Sequence, residues 1–204
     1  LYKNNLFFMS KKKNTLHNNH YPGRIRIVSG IWRNRFLKVA NLENLRPTSE
    51  RIRETLFNWL APDIENAQCL DLFAGTGSLG FEALSRGASS VTFVENSKLA
   101  NSYLHETAKL FGAINLNIYN QEAMVFLKSK VNQTFNLIFL DPPFADNSLT
   151  DVLGLLYHSQ WLSPDAKIYV ELDIKQDFPA LPESWAITHQ KNIGKVCFAL
   201  IKVN

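Results

Sequence analysis

Hydrophobic and polar positions follow two different periods along most of the chain. Short runs of apolar residues alternate with longer stretches in which apolar residues recur every three or four positions. The short runs are typical of buried strands, and the longer period is typical of helices with one buried face. Because strands and helices alternate, we expect a parallel sheet with helices on both faces. The pattern predicts strands at 69–73, 90–95, 115–119, 135–141 and 167–172, and helices near 78–86, 97–111, 121–130 and 148–158.

The last part of the chain predicts an antiparallel addition to this sheet. Two further strands, 187–194 and 196–203, follow each other across a tight turn at Gly194 and Lys195. A closing hairpin of this kind distinguishes the class I S-adenosylmethionine-dependent methyltransferase fold from the dinucleotide-binding fold. We therefore predict an α/β, Rossmann-like fold with a mostly parallel seven-stranded sheet and a C-terminal antiparallel hairpin.

The first 60 residues carry a different pattern. Residues 24–28 alternate polar and apolar positions, and residues 36–39 predict the second strand of a hairpin. Thr48 or Ser49 can cap a helix with one apolar face. The polar and basic start of the chain offers little to bury, so we expect disorder there. We predict three regions, which are a disordered tail at 1–22, a basic hairpin and helix at 23–60, and a methyltransferase domain at 61–204.

Charge separates the same regions. Residues 1–60 hold twelve Lys and Arg against three Asp and Glu, a net +9, whereas residues 61–204 hold ten against fifteen, a net −5. A basic segment on an acidic body suggests a polyanion as partner, although a solvated basic surface gives the same composition. The two cysteines lie in apolar runs without ligand spacing, and no apolar run is long enough for a membrane span. We expect a cytoplasmic protein with reduced cysteines and no metal ion.

The segment from Asp71 to Gly80, Asp-Leu-Phe-Ala-Gly-Thr-Gly-Ser-Leu-Gly, predicts a ligand site. A buried strand ends there, a glycine loop follows and a helix begins, which is where open α/β sheets bind ligands. The glycines also match the spacing of a dinucleotide site, so they alone leave both ligands open. Asp71 favours S-adenosylmethionine, because a carboxylate repels a pyrophosphate and suits an ammonium group. The candidate cofactor contacts here are Asp71, Phe73, Ala74, Gly75 and Gly77.

Polar residues at the next two strand ends extend this candidate site. Glu95 ends the second strand and can accept hydrogen bonds from both ribose hydroxyls, although a solvated strand-end acid is the alternative. Asn96 follows it and can line the adenosine pocket. Glu122, with Ala123 beside it, is placed to meet the adenine amino group, but a glutamate in the first turn of a helix also favours the helix dipole.

Asp141-Pro142-Pro143-Phe144 follows the fourth strand directly. Two prolines restrict the backbone and remove two N–H donors, so the Pro142 carbonyl is fixed beside the Asp141 carboxylate. The amino group of a base is a poor nucleophile, and these two acceptors can hold its hydrogens while Phe144 stacks on the ring. The alternative is a proline-rich turn without a chemical role. We therefore assign Asp141, Pro142, Pro143 and Phe144 to methyl transfer onto the amino group of a flipped or unpaired base.

These segments resemble a known family. Asp141 to Phe144 match the (Asn/Asp)-Pro-Pro-(Phe/Tyr/Trp) signature of amino-group methyltransferases, and residues 24–33 and 45–60 are similar to the RsmD family. The likeness covers about residues 24–203. It implies S-adenosylmethionine as cofactor and methylation of a guanine N2 in 16S rRNA, within the small ribosomal subunit or its assembly intermediate. It also implies cofactor contacts near Asp71, Gly75, Gly77, Glu95 and Glu122, although Glu122 stands where Asn or Asp is frequent.

The resemblance gives the basic extension a role in RNA binding. We expect about half of its basic residues to contact phosphates, while Arg26 and Arg53 can instead pair with nearby acids. The enzyme is expected to act as a monomer. A DNA or RNA adenine-N6 methyltransferase and an inactive RNA-binding module are the alternatives, but intact Asp71, Glu95 and Asp141 argue against lost activity. The candidate RNA contacts are Arg24, Arg26, Arg33, Arg35, Arg46, Thr48 and Arg51, with Lys38 and Arg53 as further candidates.

Overall fold

The computed structural model describes residues 24–38, 48–143 and 148–204. The strands in these ranges are β1 (Arg24–Arg26), β2 (Phe36–Lys38), β3 (Gln68–Asp71), β4 (Ser90–Val94), β5 (Leu116–Tyr119), β6 (Phe135–Leu140), β7 (Leu162–Asp173), β8 (Trp185–Ile193) and β9 (Val196–Val203). The helices are α1 (Glu50–Trp59), α2 (Ser78–Ser85), α3 (Lys98–Phe111), α4 (Ala123–Leu127) and α5 (Leu149–His158). The predicted disordered tail lies outside the described residues, so it stays a prediction.

The strands form a two-stranded hairpin, β1 with β2, and a seven-stranded sheet in the order β5-β4-β3-β6-β7-β9-β8. The first five strands of the large sheet are parallel, whereas β9 lies antiparallel between β7 and β8. This arrangement confirms the predicted fold class, including the C-terminal hairpin. The predicted division at residue 60 stays a prediction.

Two element bounds differ clearly from those predicted. β7 begins at Leu162, five residues before the predicted start, because Ser163, Pro164 and Asp165 interrupt the apolar pattern without ending the strand. The pairing of β6 with β7 shifts register between Phe135 and Leu137, which accommodates this polar segment. Helix α4 spans only five residues instead of the predicted ten, because Glu122 keeps an extended backbone at its N-cap and the helix ends before its C-cap residue, Lys128.

The large sheet buries one apolar layer on each face. Helices α1, α2 and α3 cover one face, where Phe57 of α1 packs against Phe139 of β6 with ring centroids 6.0 Å apart. Helices α4 and α5 cover the other face, where Trp161 stacks on Phe126 and donates its indole N–H to the Leu127 carbonyl at 3.0 Å. This covering on both faces explains why the central strands are apolar at nearly every position.

A buried carboxylate in α2 holds the N-terminal extension on the sheet domain. Glu82 is fully buried and accepts hydrogen bonds from the backbone N–H groups of Val28 (2.8 Å) and Ser29 (3.0 Å). It also forms ion pairs with Arg53 of α1 (3.3 Å) and with Arg86 (2.8 Å). A buried charge needs such partners, so these four contacts fix both the hairpin and α1 against α2.

Gly30 allows the hairpin to approach α2 closely. Its φ is +81°, and a Cβ atom there would lie 1.7 Å from the backbone oxygen of Ser85. That oxygen accepts a hydrogen bond from the Ile31 N–H at 2.8 Å, and the Ser85 hydroxyl oxygen accepts one from the Trp32 N–H at 3.0 Å. Only glycine fits this contact, so the extension and α2 have a fixed mutual position.

Candidate active site

The carboxyl edge of the parallel strands brings the predicted acidic residues together. Asp71 pairs in register with Phe139 on one side and Phe93 on the other, so the acids two positions beyond these phenylalanines, Asp141 and Glu95, share its face of the sheet. These acids lie above the aromatic layer on the side covered by α1, α2 and α3. Parallel topology therefore assembles the site from segments that are far apart in the chain.

The glycine loop connects β3 with α2 and is fastened to the neighbouring strand. Gly75 and Gly77 have φ angles of 52° and 74°, which is the left-handed region that favours glycine. The Ala74 N–H donates to the Val94 carbonyl at 3.0 Å, and Phe73 is partly exposed beside it. A Cβ atom at Gly77 would lie 2.6 Å from Leu104 and 2.7 Å from the Phe81 ring, so helix packing also requires glycine there.

Asp71 supports this loop from below. Its side chain is buried, and Oδ2 accepts a hydrogen bond from the Gly80 N–H in the first turn of α2 at 3.0 Å. Burial raises the pKa of Asp71 to about 7, the Gly80 N–H opposes this rise, and the nearby charges of Asp141 and Glu95 add to it. Asp71 therefore fastens helix to strand and contributes to a concentration of carboxylates.

Glu95 links the loop to the end of β4. Its Oε2 accepts a hydrogen bond from the Gly75 N–H at 2.7 Å, and its Oε1 accepts one from the Ser97 N–H at 2.7 Å. The Asn120 amide, which follows β5, donates to the carbonyls of Glu95 (2.8 Å) and Asn96 (3.1 Å). Sequence reasoning did not assign Asn120 to the site, although a polar residue directly after the third parallel strand was a usable signal.

The last two cofactor candidates lie at the start of α4. Glu122 is exposed and occupies the N-cap position, but its side chain makes no capping hydrogen bond. Ala123 is buried beneath it. The structure therefore places Glu122 at the rim of the carboxyl edge, where its side chain is accessible from solvent.

The charge of this edge fits a cationic ligand. Within the described residues, Asp71, Glu95 and Asp141 have no Lys or Arg at ion-pair distance. Carboxylates that gather without a cation repel the pyrophosphate of a dinucleotide and attract a ligand with ammonium and sulfonium groups. Asp71, Glu95 and the backbone of Gly75 and Gly77 could hold a ligand of this kind.

The Asp-Pro-Pro turn begins where β6 ends at Leu140. Pro142 is buried and Pro143 is exposed, whereas Phe144 lies outside the described residues. Burial raises the pKa of Asp141 to about 6, and the hydrogen bond from Thr48 opposes the rise. The Thr48 donor favours the ionised form of Asp141, which can accept a hydrogen bond from an amine.

Thr48 lies at a different part of the site from the one predicted. It was assigned to RNA contacts, but its side chain is only 6% exposed, and its hydroxyl donates to Asp141 Oδ2 at 3.0 Å. The two residues are 93 positions apart in the chain. The N-terminal extension therefore contributes a side chain that contacts the Asp-Pro-Pro turn.

A cleft of about 370 Å³ opens beside the same turn, between the start of α5 and the segment that follows β7. This volume lies within the range of small-ligand sites. Two prolines of the turn give the cleft one rigid wall, and polar and charged side chains contribute to the rest of its lining. The lining residues are Pro142, Pro143, Leu149, Thr150, Glu171, Leu172, Lys175, Gln176, Asp177 and Pro179.

Comparison with known proteins agrees with this geometry. The sequence profile of the family described as Conserved hypothetical protein 95 matches residues 25–202. Ribosomal RNA small subunit methyltransferase D of Escherichia coli K12 is 43% identical over 183 residues, which cover 90% of this chain and 92% of the relative. The same enzyme of Haemophilus influenzae is 45% identical over 182 residues, which cover 87% and 93%. The chain belongs to the ribosomal RNA small subunit methyltransferase D family.

Solved structures agree with this membership. A methyltransferase structure from E. coli superposes with a TM-score of 0.82 at 40% identity, and the match covers 89% of this chain and 98% of the other. Membership of the small subunit methyltransferase D family confirms the predicted resemblance and the predicted cofactor, S-adenosylmethionine.

The basic residues predicted to bind RNA differ in their surroundings within this family member. Arg26 is ion-paired with Glu50, and Lys38 lies 3.0 Å from Glu106. Arg35 lies over the Phe111 ring, with its guanidinium carbon 4.2 Å from the ring centroid.

The remaining candidates are buried, undescribed or exposed. Arg53 is buried against Glu82, as described above, and Arg46 lies outside the described residues. The exposed members without an ion pair in the described part of the chain are Arg24, Arg33 and Arg51.

No membrane-spanning or metal-binding feature accompanies this site in the described ranges. None of the described helices is long and apolar enough to cross a bilayer. The described residues also contain no group of three or more His, Cys, Asp or Glu side chains arranged to hold a metal ion.

Proposed function

We propose that the chain transfers a methyl group from S-adenosylmethionine to the N2 amino group of a guanine in 16S rRNA of the small ribosomal subunit. The observation that carries this proposal is the position of the Asp141-Pro142 turn. This turn directly follows β6. Strand β6 pairs with β3, the strand that leads into the glycine loop. Neighbouring strands lie about 4.8 Å apart, so the two acceptors and the cofactor loop share one edge of the sheet. The names of the close relatives support ribosomal RNA as the substrate.

The proposed mechanism depends on two acceptors that the chain holds in place. The Asp141 carboxylate and the Pro142 carbonyl accept the two hydrogens of the amino group, which favours a pyramidal nitrogen whose lone pair is no longer delocalised into the ring. Proline fixes the backbone of this turn, so little entropy is lost when the base binds. S-adenosylmethionine, when bound, supplies a methyl group on a positively charged sulfur. As the new N–C bond forms, the methyl–sulfur bond of the donor would break and leave a neutral thioether. The nitrogen loses one proton, and the ionised Asp141 is placed to accept it.

The acidic edge favours binding of the donor and release of the product. Asp71 and Glu95 attract a donor that carries a sulfonium charge and hold the product, which has one positive charge fewer, less tightly. Water is excluded below them by the layer of Phe93 and Phe139, both of which are fully buried. The reaction as proposed uses no metal ion, and an rRNA substrate implies a cytoplasmic location.

The experiment that tests the function maps the modified nucleotide. Small ribosomal subunits without the modification, and naked 16S rRNA, are incubated with the protein and labelled S-adenosylmethionine. Mass spectrometry of nuclease digests should find one N2-methylguanosine per RNA. A label on adenine, or a label on protein alone, would overturn the proposal, and a comparison of the two substrates shows which form of the RNA is used.

We also propose that the exposed arginines of the extension contact RNA phosphates. Arg24, Arg33 and Arg51 are free to do so, and the extension carries most of the positive charge. Changing all three to glutamine should lower the slope of log affinity against log salt by about 2, since each phosphate contact contributes about 0.7 to 0.9. A variant with Lys128, Lys130 and Lys202 changed to glutamine is the control, because these lysines lie outside the extension and outside the cleft beside the Asp-Pro-Pro turn. Equal slopes in both variants would contradict the assignment.

A further inference from the structure

We infer that Thr48 is a positioning residue for methyl transfer, because its hydroxyl fixes the carboxylate of Asp141 in the orientation that the amino group requires. This inference rests on the proposed role of Asp141. The hydrogen bond is 3.0 Å long and reaches only Oδ2 of the carboxylate. It can therefore set the rotation of the carboxylate while the amino group binds to the other oxygen. Thr48 is buried, so its hydroxyl is shielded from competing water.

The backbone around Thr48 is itself firmly placed. Ser49 is the N-cap of α1, and its side chain accepts a hydrogen bond from the Ile52 N–H at 3.3 Å. Thr48 thus directly precedes the N-cap of a helix. The start of α1 consequently defines where the hydroxyl lies.

Contacts farther along α1 prevent the helix from moving away from β6. Phe57 packs on Phe139, which lies two positions before Asp141 on the same face of the sheet. Arg53 is 2% exposed and paired with Glu82 in α2. Because α1 is fixed at both points, Thr48 is presented to Asp141 by rigid structure and not by a loose terminus.

The surroundings of Asp141 explain why one hydrogen bond matters. Asp71 of β3 and Tyr169 of β7 face it closely enough to interact electrostatically, and Glu171 accepts a hydrogen bond from Tyr169 at 2.7 Å. Burial favours the protonated form of Asp141 and raises its pKa. The donor from Thr48 favours the ionised form and so lowers the pKa of the carboxyl.

The test compares Thr48→Val with Thr48→Ser in single-turnover methylation at saturating S-adenosylmethionine. Valine keeps the branched shape but removes the donor, so we expect the rate at pH 7 to fall about tenfold. It should also move the acidic limb of the rate profile to higher pH, since Asp141 then protonates more easily. At pH 9, where Asp141 is ionised in both proteins, the rate should stay about threefold below that of the unsubstituted protein, because the carboxylate is no longer held in its orientation. Serine restores the donor and should restore the profile.

One control variant and two measurements distinguish the role of Thr48 from effects on helix α1, on cofactor binding and on folding. Thr55→Val is the matched control, because it also removes a hydroxyl hydrogen bond from α1, but one made to the Arg51 carbonyl at 2.9 Å. Calorimetry of S-adenosylmethionine binding across the same pH range shows whether the acidic limb of the rate profile belongs to Asp71 instead of Asp141. Thermal unfolding shows whether the variants are folded.

The possible outcomes distinguish the positioning role of Thr48 from the proposed substrate. A folded Thr48→Val protein with an unchanged rate at pH 7, or with full recovery of the rate at pH 9, would overturn the positioning role, as would a Thr48→Ser protein with the same defect. If the unsubstituted protein methylates a base other than guanine while Thr48→Val still shifts the profile, the proposed substrate is wrong and the positioning role stands.

Discussion

The two halves of the carboxyl edge hold their acids in different ways. At the cofactor half, Asp71 and Glu95 accept hydrogen bonds from backbone N–H groups within twenty positions of each in the chain. At the catalytic half, Asp141 is held by a side chain from the N-terminal extension, 93 positions away. The cofactor half is therefore complete within the sheet domain, whereas the catalytic half depends on how the extension docks. This difference predicts that the two halves can be damaged separately.

The largest separation is expected from Asp141→Ala. Removing one of the two acceptors and the proton acceptor should lower methyl transfer about a thousandfold, while affinity for S-adenosylmethionine stays within about threefold. Single-turnover rates and calorimetry measure the two effects. Asp151→Ala, which changes an exposed acid in the first turn of α5, is the control. Unchanged turnover would remove Asp141 from the mechanism, and lost cofactor binding would show that the halves are not separate.

A second test disturbs the docking of the extension. Glu82→Gln weakens a fully buried carboxylate that has four partners, so the free energy of unfolding should fall by about 3 kcal/mol. Methyl transfer should fall about tenfold as Thr48 loses its place, and cofactor affinity should change much less. Urea unfolding, turnover and calorimetry give the three values.

This test has a control variant and a milder alternative variant at nearby positions. Glu65→Gln changes an exposed acid and should leave all three values unchanged. If Glu82→Gln does not fold, Arg86→Gln removes only one of the four partners and should give a smaller change in the same direction. Equal loss of cofactor affinity and of turnover would argue that the extension supports the whole sheet.

The same contrast shows what could be predicted from the sequence. The parallel order of the sheet and the acids at Asp71, Glu95 and Asp141 follow from periodicity and from short motifs, because each strand end lies next to its own loop. The contact between Thr48 and Asp141 has no local signal, because it depends on where α1 crosses the sheet. Glu82 did carry a signal, a charged residue within an apolar helix, but its four partners come from three separate segments.

The misplaced start of β7 has a related cause. Ser163, Pro164 and Asp165 interrupt the apolar pattern, yet the strand continues because the register shift against β6 absorbs the extra length. Local composition therefore predicted where the buried core of this strand lies, but not where its hydrogen bonding begins.

The smallest expected effect is on the pH dependence of stability, which the buried carboxyl of Asp71 at the cofactor half should influence. Burial raises the pKa of Asp71 from its ordinary 3.8 to about 7, so the folded state binds this proton more tightly than the unfolded state. Stability should therefore be greatest below the ordinary pKa, fall as the pH rises towards 7, and level off above it. Asp71→Asn can still accept the Gly80 hydrogen bond and should remove most of the part of this fall that Asp71 causes between pH 4 and pH 8. Urea unfolding across that range measures it, with Asp151→Asn as control. Because Asp141 contributes a fall of the same sign, some slope should remain, and a slope unaltered by Asp71→Asn would mean that the acidic edge is balanced by charges elsewhere.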